Sequence, residues 1–228
     1  MYILHIETST KVCSVALSQG DRLVDCIDLE EGMNHTAVLA PTIQRLLKDA
    51  SLKVSDLGAI SVSSGPGSYT GLRVGGATAK AMAYSLNIPI LAIPTLTSLA
   101  DAVFVKFPEA EWALPMLDAR HNEVYTSKFD RDLRQVVPVS SVILDEESLI
   151  DLIPETGKVV SCGDGAFKLK NMAARFPNLI LSLEIQSSAS HLIRPSLRKL
   201  STGEFSDPMN FVPNYLKPPN ITQQRKLL

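Results

Sequence analysis

The sequence has few cysteines, almost no net charge and no long uncharged apolar run. Cys13, Cys26 and Cys162 are an odd number without a C-x-x-C pair, so they indicate neither a disulfide framework nor a zinc knuckle. A formal net charge of -2 argues against a basic surface that would bind RNA by itself. No apolar run reaches the roughly 18 residues of a membrane span, and no signal peptide is recognisable. These absences favour a cytoplasmic protein with reduced thiols.

What is present is an order of predicted elements that occurs twice. A chain of 228 residues can form one large domain or two small ones. Apolar runs and one-sided helical patterns predict the order βββαβαβα in the first half and again in the second. Three hairpin-joined strands followed by alternating helices and strands form a mixed sheet flanked by helices. The repeat predicts an α/β protein of two lobes with a duplicated ribonuclease-H-like fold, as in the actin and Hsp70 ATPases.

The same pattern predicts the limits of the units. A first lobe is expected over residues 1–105, a second lobe over 106–207 and an extended tail over 208–228. Pro41 is expected in the first turn of its helix or at a kink. The longer helical patterns cover residues 35–50, 70–87, 95–104, 167–176 and 188–200.

One acidic residue follows the first strand of each half. It is Glu7 in the first half and Asp118 in the second. In actin-like ATPases such residues face a cleft and hold a metal–nucleotide complex, and the hydroxyl group of Ser9 could add a phosphate contact. The alternative is that both stretches are ordinary hairpin turns. Glu7 is longer than the usual Asp, and no glycine-rich turn flanks it. Glu7, Ser9 and Asp118 are therefore vestigial candidates, and no cofactor is expected.

A glycine-rich run over residues 64–75, SGPGSYTGLRVG, follows one strand and opens a helix. This is the context of an anion site at a helix N-terminus, but the spacing matches neither a dinucleotide fingerprint nor a P-loop. In the helix, Gly71, Gly75, Ala79 and Ala83 form a stripe of small residues at four-residue spacing. Such a stripe permits close approach either of the protein's own sheet or preceding helix, or of another subunit. Spacing alone favours packing on the sheet.

The histidines do not form a metal-binding pattern. His35 is followed four residues later by Leu39, so the pair of ligands that a His-x-x-x-His helix offers is incomplete. His5, His121 and His191 are scattered along the chain. Neither metal ligands nor catalytic residues are therefore predicted.

The run 64–75 and the Glu-Thr-Ser at residues 7–9 resemble the bacterial TsaB (YeaZ) family. That family belongs to the machinery that makes N6-threonylcarbamoyladenosine in tRNA. Residues 213–217 are similar to the family's Pro-x-Tyr-Leu-Arg, with Lys217 in place of Arg, which keeps the charge but loses the forked donor. Further matching stretches lie at residues 34–36, 93–96, 117–120, 123–125 and 163–166.

The resemblance implies a role and partners. Family members act as a non-catalytic scaffold that pairs with a metal-binding, actin-like paralogue, the TsaD-type subunit that performs the transfer. A small TsaE-type ATPase completes the complex. The product forms at adenosine 37 of tRNAs that read codons beginning with A, so tRNA contact is expected mainly through the complex. A homodimer of the isolated chain is left open.

Family pairing uses the first two helices of the first lobe. This implication favours the docking interpretation of the small-residue stripe over packing on the sheet. The implied interface consists of His35, Leu39, Ile43, Gly71, Leu72, Gly75, Ala79 and Ala83.

Two rival functions are a metallopeptidase-like enzyme, since the paralogous family was named a glycoprotease, and a stand-alone actin-like ATPase. The missing second histidine at Leu39 argues against the peptidase. The degenerate phosphate turns argue against the ATPase. The sequence therefore predicts a protein that is not an enzyme by itself.

Overall fold

The computed structural model describes residues 1–29 and 34–217 and contains two five-stranded sheets. The first has the order β3-β2-β1-β4-β5, and the second has β10-β9-β6-β7-β8. In each, three strands pair antiparallel and the remaining pairings are parallel. The duplicated fold predicted from the sequence is therefore confirmed. The strands are β1 (Tyr2–Glu7), β2 (Cys13–Gln19), β3 (Arg22–Leu29), β4 (Leu57–Ser63), β5 (Ile90–Ile93), β6 (Trp112–Asp118), β7 (Glu123–Phe129), β8 (Gln135–Ile143), β9 (Val159–Cys162) and β10 (Leu179–Ser182).

Five α-helices cover the sheets within the described residues. They are α1 (His35–Asp49), α2 (Tyr69–Leu86), α3 (Thr95–Lys106), α4 (Glu146–Leu152) and α5 (Ile193–Thr202). α1 and α2 touch each other on one face of the first sheet, where they enclose its larger apolar cluster. α5 lies against the other face of this sheet. Successive residues of β1 point to opposite faces, so β1 contributes side chains to the apolar clusters on both. No helix among the described residues is long and apolar enough to cross a membrane.

Two predicted helices of the second lobe differ from the structure. Residues 167–176 form two 3₁₀ turns, Ala166–Leu169 and Ala173–Arg175. The partly or fully buried side chains of Ala166, Leu169 and Met172 recur every three residues, the period of a 3₁₀ helix, and Phe176 follows after four. The helix predicted from residue 188 begins with a 3₁₀ turn before α5, whose first turn contains Pro195. Pro41 lies inside α1 and not in its first turn.

The helices α3 and α5 pack outside the lobes to which the predicted limits assign them. α3 falls in the predicted first lobe, yet Leu99 and Val103 belong to the apolar cluster of the second sheet. α5 falls in the predicted second lobe, yet Leu197 packs against the first sheet. The two helices touch, and Asp101 of α3 forms ion pairs with α5. The packing of α3 and α5 therefore connects the two lobes, in addition to the covalent connection of the chain.

The small-residue stripe of α2 faces the protein's own sheet. A Cβ atom on Gly71 would lie 2.0 Å from the carbonyl oxygen of Thr8, and one on Gly75 would lie 2.2 Å from the Thr8 hydroxyl oxygen. Ala79 and Ala83 are completely buried. The docking interpretation of the stripe is therefore corrected, because only small residues let α2 approach β1 so closely.

The other implied interface residues also point inward. Leu39, Ile43 and Leu72 are at most 5% exposed, and the first two belong to the core beneath α1 and α2. His35 lines a cleft between the lobes. The surface that these two helices offer to a partner must therefore come from their opposite faces.

The structure describes the predicted tail as far as Lys217, and the first part of this tail runs along α2. Phe211 is 6% exposed and enters the core of the first lobe. The Lys80 ammonium group donates to the carbonyl oxygens of Met209 and Phe211 at 3.2 and 3.0 Å. Residues 218–228 of the predicted tail lie outside the described residues.

Candidate functional site

A cleft of about 600 Å³ lies between the two lobes. The first lobe contributes the turn after β1 and the start of α2, and the second contributes the hairpin between β6 and β7. The tail supplies Tyr215, Leu216 and Lys217. Ser9 and Asp118, which the sequence singles out, line this cleft together, whereas Glu7 is completely buried and does not line it.

The buried side chain of Glu7 stabilises the turn after β1. Its Oε1 atom accepts the backbone N–H of Ser9 at 2.6 Å. Burial raises the pKa of Glu7, although hydrogen bonds from Ser9 and Ser63 oppose the shift. The Glu7 side chain is therefore a structural group of the first lobe and is not free to hold a metal–nucleotide complex.

Asp118, at the equivalent position of the second lobe, faces the cleft. Its Oδ1 atom accepts the Lys168 ammonium group at 2.6 Å and the Arg120 backbone N–H at 2.8 Å. Burial acts to raise the pKa of Asp118, but these hydrogen bonds outweigh it and the pKa lies below its ordinary value. Asp118 therefore carries a charge that Lys168 neutralises.

Asp164 is one of two acidic cleft residues, with Glu123, that were not predicted as site residues from the sequence. Its Oδ1 atom accepts the Asp118 backbone N–H at 2.9 Å. Burial, assisted by the negative charge of Asp118, raises the pKa of Asp164. The available signal was the Gly-Asp-Gly turn, in which Gly163 has a φ of 87° and packs on the carbonyl group of Met116.

Two backbone donors at the start of α2, where the sequence has the context of an anion site, are taken by the protein's own acceptors. The backbone N–H of Ser68 donates to the carbonyl oxygen of Ser9 at 2.6 Å. The backbone N–H of Gly71 donates to the Ser68 side chain at 3.3 Å. Because internal partners take these donors, the glycine-rich run serves mainly to join the β1 turn to α2.

His35 and His121 line the cleft, but the residue four positions after His35 is not a ligand. His35 lines the cleft, but Leu39 is 1% exposed and lies in the core of the first lobe. Within residues 1–29 and 34–217, no group of three His, Cys, Asp or Glu side chains is arranged to hold a metal ion. His5 is buried and hydrogen-bonded to the Ser18 hydroxyl at 2.8 Å, and burial lowers its pKa to about 3. The residues present do not fit the metal site of a His-x-x-x-His helix.

The cysteines are poor nucleophiles. Cys13 and Cys162 are buried, and burial raises the pKa of Cys13 to about 11 and that of Cys162 further. Burial also raises the pKa of Cys26, with a smaller contribution from the charge of Asp28. Thiols with raised pKa values remain protonated and unreactive at neutral pH.

The outer faces of α1 and α2 expose several short side chains among polar ones, and these short side chains with Tyr84 are here called the two-helix surface. Ala37, Ala40 and Pro41 of α1 are exposed, as are Ala77 and Ala81 of α2. Tyr84 at the end of α2 is 66% exposed. Short side chains on adjacent helices allow another helix to approach closely, and an exposed aromatic ring is a frequent anchor of protein interfaces.

The sequence and the fold are similar to known proteins. The family model described as "TsaD: tRNA N6-adenosine threonylcarbamoyltransferase" matches residues 31–192. The tRNA threonylcarbamoyladenosine biosynthesis protein TsaB of Bacillus subtilis is 32% identical over 95% of this chain and 94% of that protein. The TsaB protein of Haemophilus influenzae is 35% identical over 57% of this chain, which spans about half (54%) of that relative.

The fold is also similar to those of solved structures. YeaZ from Pseudomonas aeruginosa is 28% identical and superposes with a TM-score of 0.75 over 94% of this chain and 99% of that one. The activator of the 2-hydroxyisocaproyl-CoA dehydratase from Clostridium difficile, solved with bound ADPNP, has a TM-score of 0.57 over 91% of this chain and 99% of that one. At 13% identity, this second likeness concerns the fold alone.

Proposed function

This chain belongs to the TsaB (YeaZ) family, and from that premise we propose that it takes part in the biosynthesis of N6-threonylcarbamoyladenosine in tRNA as a non-catalytic subunit. Its partner is a TsaD-type transferase subunit of the same fold. The modified base is adenosine 37 of tRNAs that read codons beginning with A.

The observation that carries the non-catalytic part of the proposal is the burial of Leu39. A helix that holds a metal ion through two histidines must direct both side chains to one site. Here the first position, His35, reaches the cleft, while the second is an aliphatic side chain in the core. The carboxylate of Asp118 is engaged by Lys168, and the buried thiols are protonated. The chain thus supports a subunit that depends on a partner for the chemistry.

The two-helix surface is the part of the first lobe that suits a partner of the same fold. It consists of Ala37, Ala40, Pro41, Ala77, Ala81 and Tyr84, and it lies over the well-packed core beneath α1 and α2. A pre-formed surface of short side chains loses little conformational entropy on association. The TsaE-type ATPase and tRNA are expected to join through the complex, since the net charge of -2 offers no strong attraction for phosphate groups.

The proposal is tested by reconstitution with purified TsaD-type and TsaE-type subunits, the threonylcarbamoyl donor and unmodified tRNA. We expect modification of adenosine 37 only when this chain is added, and none from this chain alone. The readout is mass spectrometry of the digested nucleosides. Full modification without the chain would contradict a required role, and modification by the chain alone would contradict a non-catalytic one.

The interface is tested with Ala77→Arg, which places a long charged side chain on the two-helix surface. We expect its affinity for the TsaD-type subunit to fall about 100-fold or more, because a charge buried in an interface without a partner costs several kcal/mol. Ala174→Arg, at an exposed alanine of the second lobe, is the matched control and should bind normally. Both variants should melt close to the parent. Normal binding of Ala77→Arg would exclude this surface.

A further inference from the structure

Residues 211–217, here called the strap, are firmly attached to the first lobe at their beginning. Phe211 is buried in the core beneath α2. The ring of Pro213 lies over Gly76, where an added Cβ atom would come within 3.2 Å of its Cγ atom. The Lys80 ammonium group holds the carbonyl oxygen of Phe211 at 3.0 Å. The strap therefore follows α2 toward the cleft as part of the first lobe.

The middle of the strap is joined to the glycine-rich turn before α2. The backbone N–H of Asn214 donates to the carbonyl oxygen of Ser64 at 2.6 Å. The carbonyl oxygen of Asn214 would lie 2.4 Å from a Cβ atom on Gly65, whose φ is 101°. Only glycine accommodates this approach. The Tyr215 ring then packs on Tyr69, with the ring centroids 4.8 Å apart.

The end of the strap crosses to the second lobe. The Lys217 ammonium group lies 2.5 Å from Oε2 of Glu123, at the start of β7. The other carboxylate oxygen of Glu123 accepts the Ser141 hydroxyl at 2.6 Å, which orients the group toward the strap. The hydrogen bond from Lys217 is the main reason why the pKa of Glu123 lies below its ordinary value. Tyr215, Leu216 and Lys217 together form one wall of the cleft.

We propose that the strap is a latch that limits the separation of the two lobes across the cleft. Three residues of extended chain span only about 10 Å, so Lys217 cannot stay on Glu123 if the lobes move far apart while Asn214 stays on Ser64. The crossing helices α3 and α5 keep the lobes connected when the latch is released. Opening of the cleft then requires the Lys217–Glu123 ion pair to break.

The alternative is that the ion pair is an ordinary surface contact without influence on the lobes. The two interpretations differ in what happens to groups inside the cleft. Ser9 is 1% exposed and lines the cleft, so a cysteine at this position serves as the reporter of reagent access through the cleft. The test protein is therefore the full chain with Ser9→Cys and with Cys26→Ser, which removes the more accessible native thiol; Cys13 and Cys162 are buried.

The measurement is the rate at which a thiol reagent labels the cysteine at position 9. Lys217→Glu and Glu123→Lys should each raise this rate by about fivefold, the scale of a surface ion pair. The double exchange, Lys217→Glu with Glu123→Lys, should restore the slow rate. Salt should accelerate labelling of the parent and leave Lys217→Met unchanged, since salt screens an interaction between charges and the methionine carries none.

The matched control is Lys106→Glu, which disrupts an ion pair with Glu184 away from the strap and whose lysine is about as exposed as Lys217, 46% against 44%. It should label like the parent. Lys217→Met removes the charge and keeps the apolar stem, and it should label like Lys217→Glu. Equal rates in the parent and Lys217→Glu would overturn the latch, as would a double exchange that labels as fast as the single variants. Because this test uses the chain alone, its outcome is independent of the proposed role in tRNA modification.

Discussion

The two lobes share a strand order but differ in the layer that covers it. After β4 the first lobe has α2 (Tyr69–Leu86), whereas after β9 the second has only the 3₁₀ turns Ala166–Leu169 and Ala173–Arg175. The small residues of α2 permit close contact with β1, while Leu169, Met172 and Phe176 are larger and are spaced by three and then four residues. Two sheets with the same strand order can therefore be covered by different helices and turns, because the buried face of a sheet requires only that apolar side chains pack on it.

The difference also assigns different tasks to the lobes. The long helices α1 and α2 form a continuous surface over a well-packed core in the first lobe. The second lobe has the seven-residue α4 and no comparable pair of long helices within residues 34–217. A partner that docks through helices is therefore expected on the first lobe, and changes beneath its helical layer should affect stability before they affect binding.

The largest expected effect comes from Ala79→Arg, beneath the layer of the first lobe. Ala79 is completely buried against the sheet, so an arginine would overpack the core and bury an unpaired charge. We expect a loss of at least about 3 kcal/mol in the free energy of unfolding. Ala81→Arg, two residues further on the exposed face, should change it by less than about 0.5 kcal/mol. Urea unfolding followed by circular dichroism measures both, and a parent-like midpoint for Ala79→Arg would refute the inward orientation of the stripe.

A smaller effect is expected from Gly75→Ala, which tests how closely α2 approaches β1. The new methyl group would lie 2.2 Å from the Thr8 hydroxyl oxygen, which itself donates to the carbonyl oxygen of Gly71 at 2.9 Å. We expect a loss of about 1–3 kcal/mol from overpacking. Gly76→Ala is the control, because its methyl group would lie 3.2 Å from the ring of Pro213, a less severe contact than the one at Gly75. The substitution also raises the helix propensity of α2. Thermal unfolding should place Gly75→Ala clearly below Gly76→Ala, and the reverse order would contradict the close approach.

The smallest effect is a difference in pH response between Glu7 and Asp118, the equivalent acidic positions. The folded-state pKa of Glu7 is raised, so its contribution to stability is present below its ordinary pKa of 4.5 and is lost as pH rises. Glu7→Gln should therefore make stability fall less steeply as pH rises. The pKa of Asp118 is lowered, so its contribution is present above 3.8 and is lost as pH falls.

Asp118→Asn should accordingly destabilise the protein at neutral pH, by less than about 1 kcal/mol because solvent screens this partly exposed ion pair. The loss should vanish in acid. Denaturant unfolding of both variants between acidic and neutral pH measures the two slopes. Slopes of the same sign for Glu7→Gln and Asp118→Asn would show that the two positions have the same environment.

Much of the fold can be predicted from the sequence, and less of the site. Ser9 and Asp118 were identified from their places after strands and do meet at the cleft. Asp164, Tyr215 and Lys217 were not identified as site residues, since nothing local in the chain indicates that they lie beside a turn more than a hundred residues away. The hydroxyl-rich turn at residues 8–10 looked like a phosphate site, but its carbonyl oxygen at Ser9 is used to hold α2.

The sequence by itself determined the order of most elements along the chain, the duplication and the family, because side-chain period, turn residues and the run at residues 64–75 are local properties of the chain. Only the tertiary structure decided which face of α2 is buried, because a stripe of small residues fits a sheet and a partner equally well until Thr8 is placed against Gly71. It also decided that α3 and α5 cross between the lobes and that Lys217 reaches Glu123. Those contacts join residues far apart in the chain, and their geometry depends on how the two sheets are set against each other.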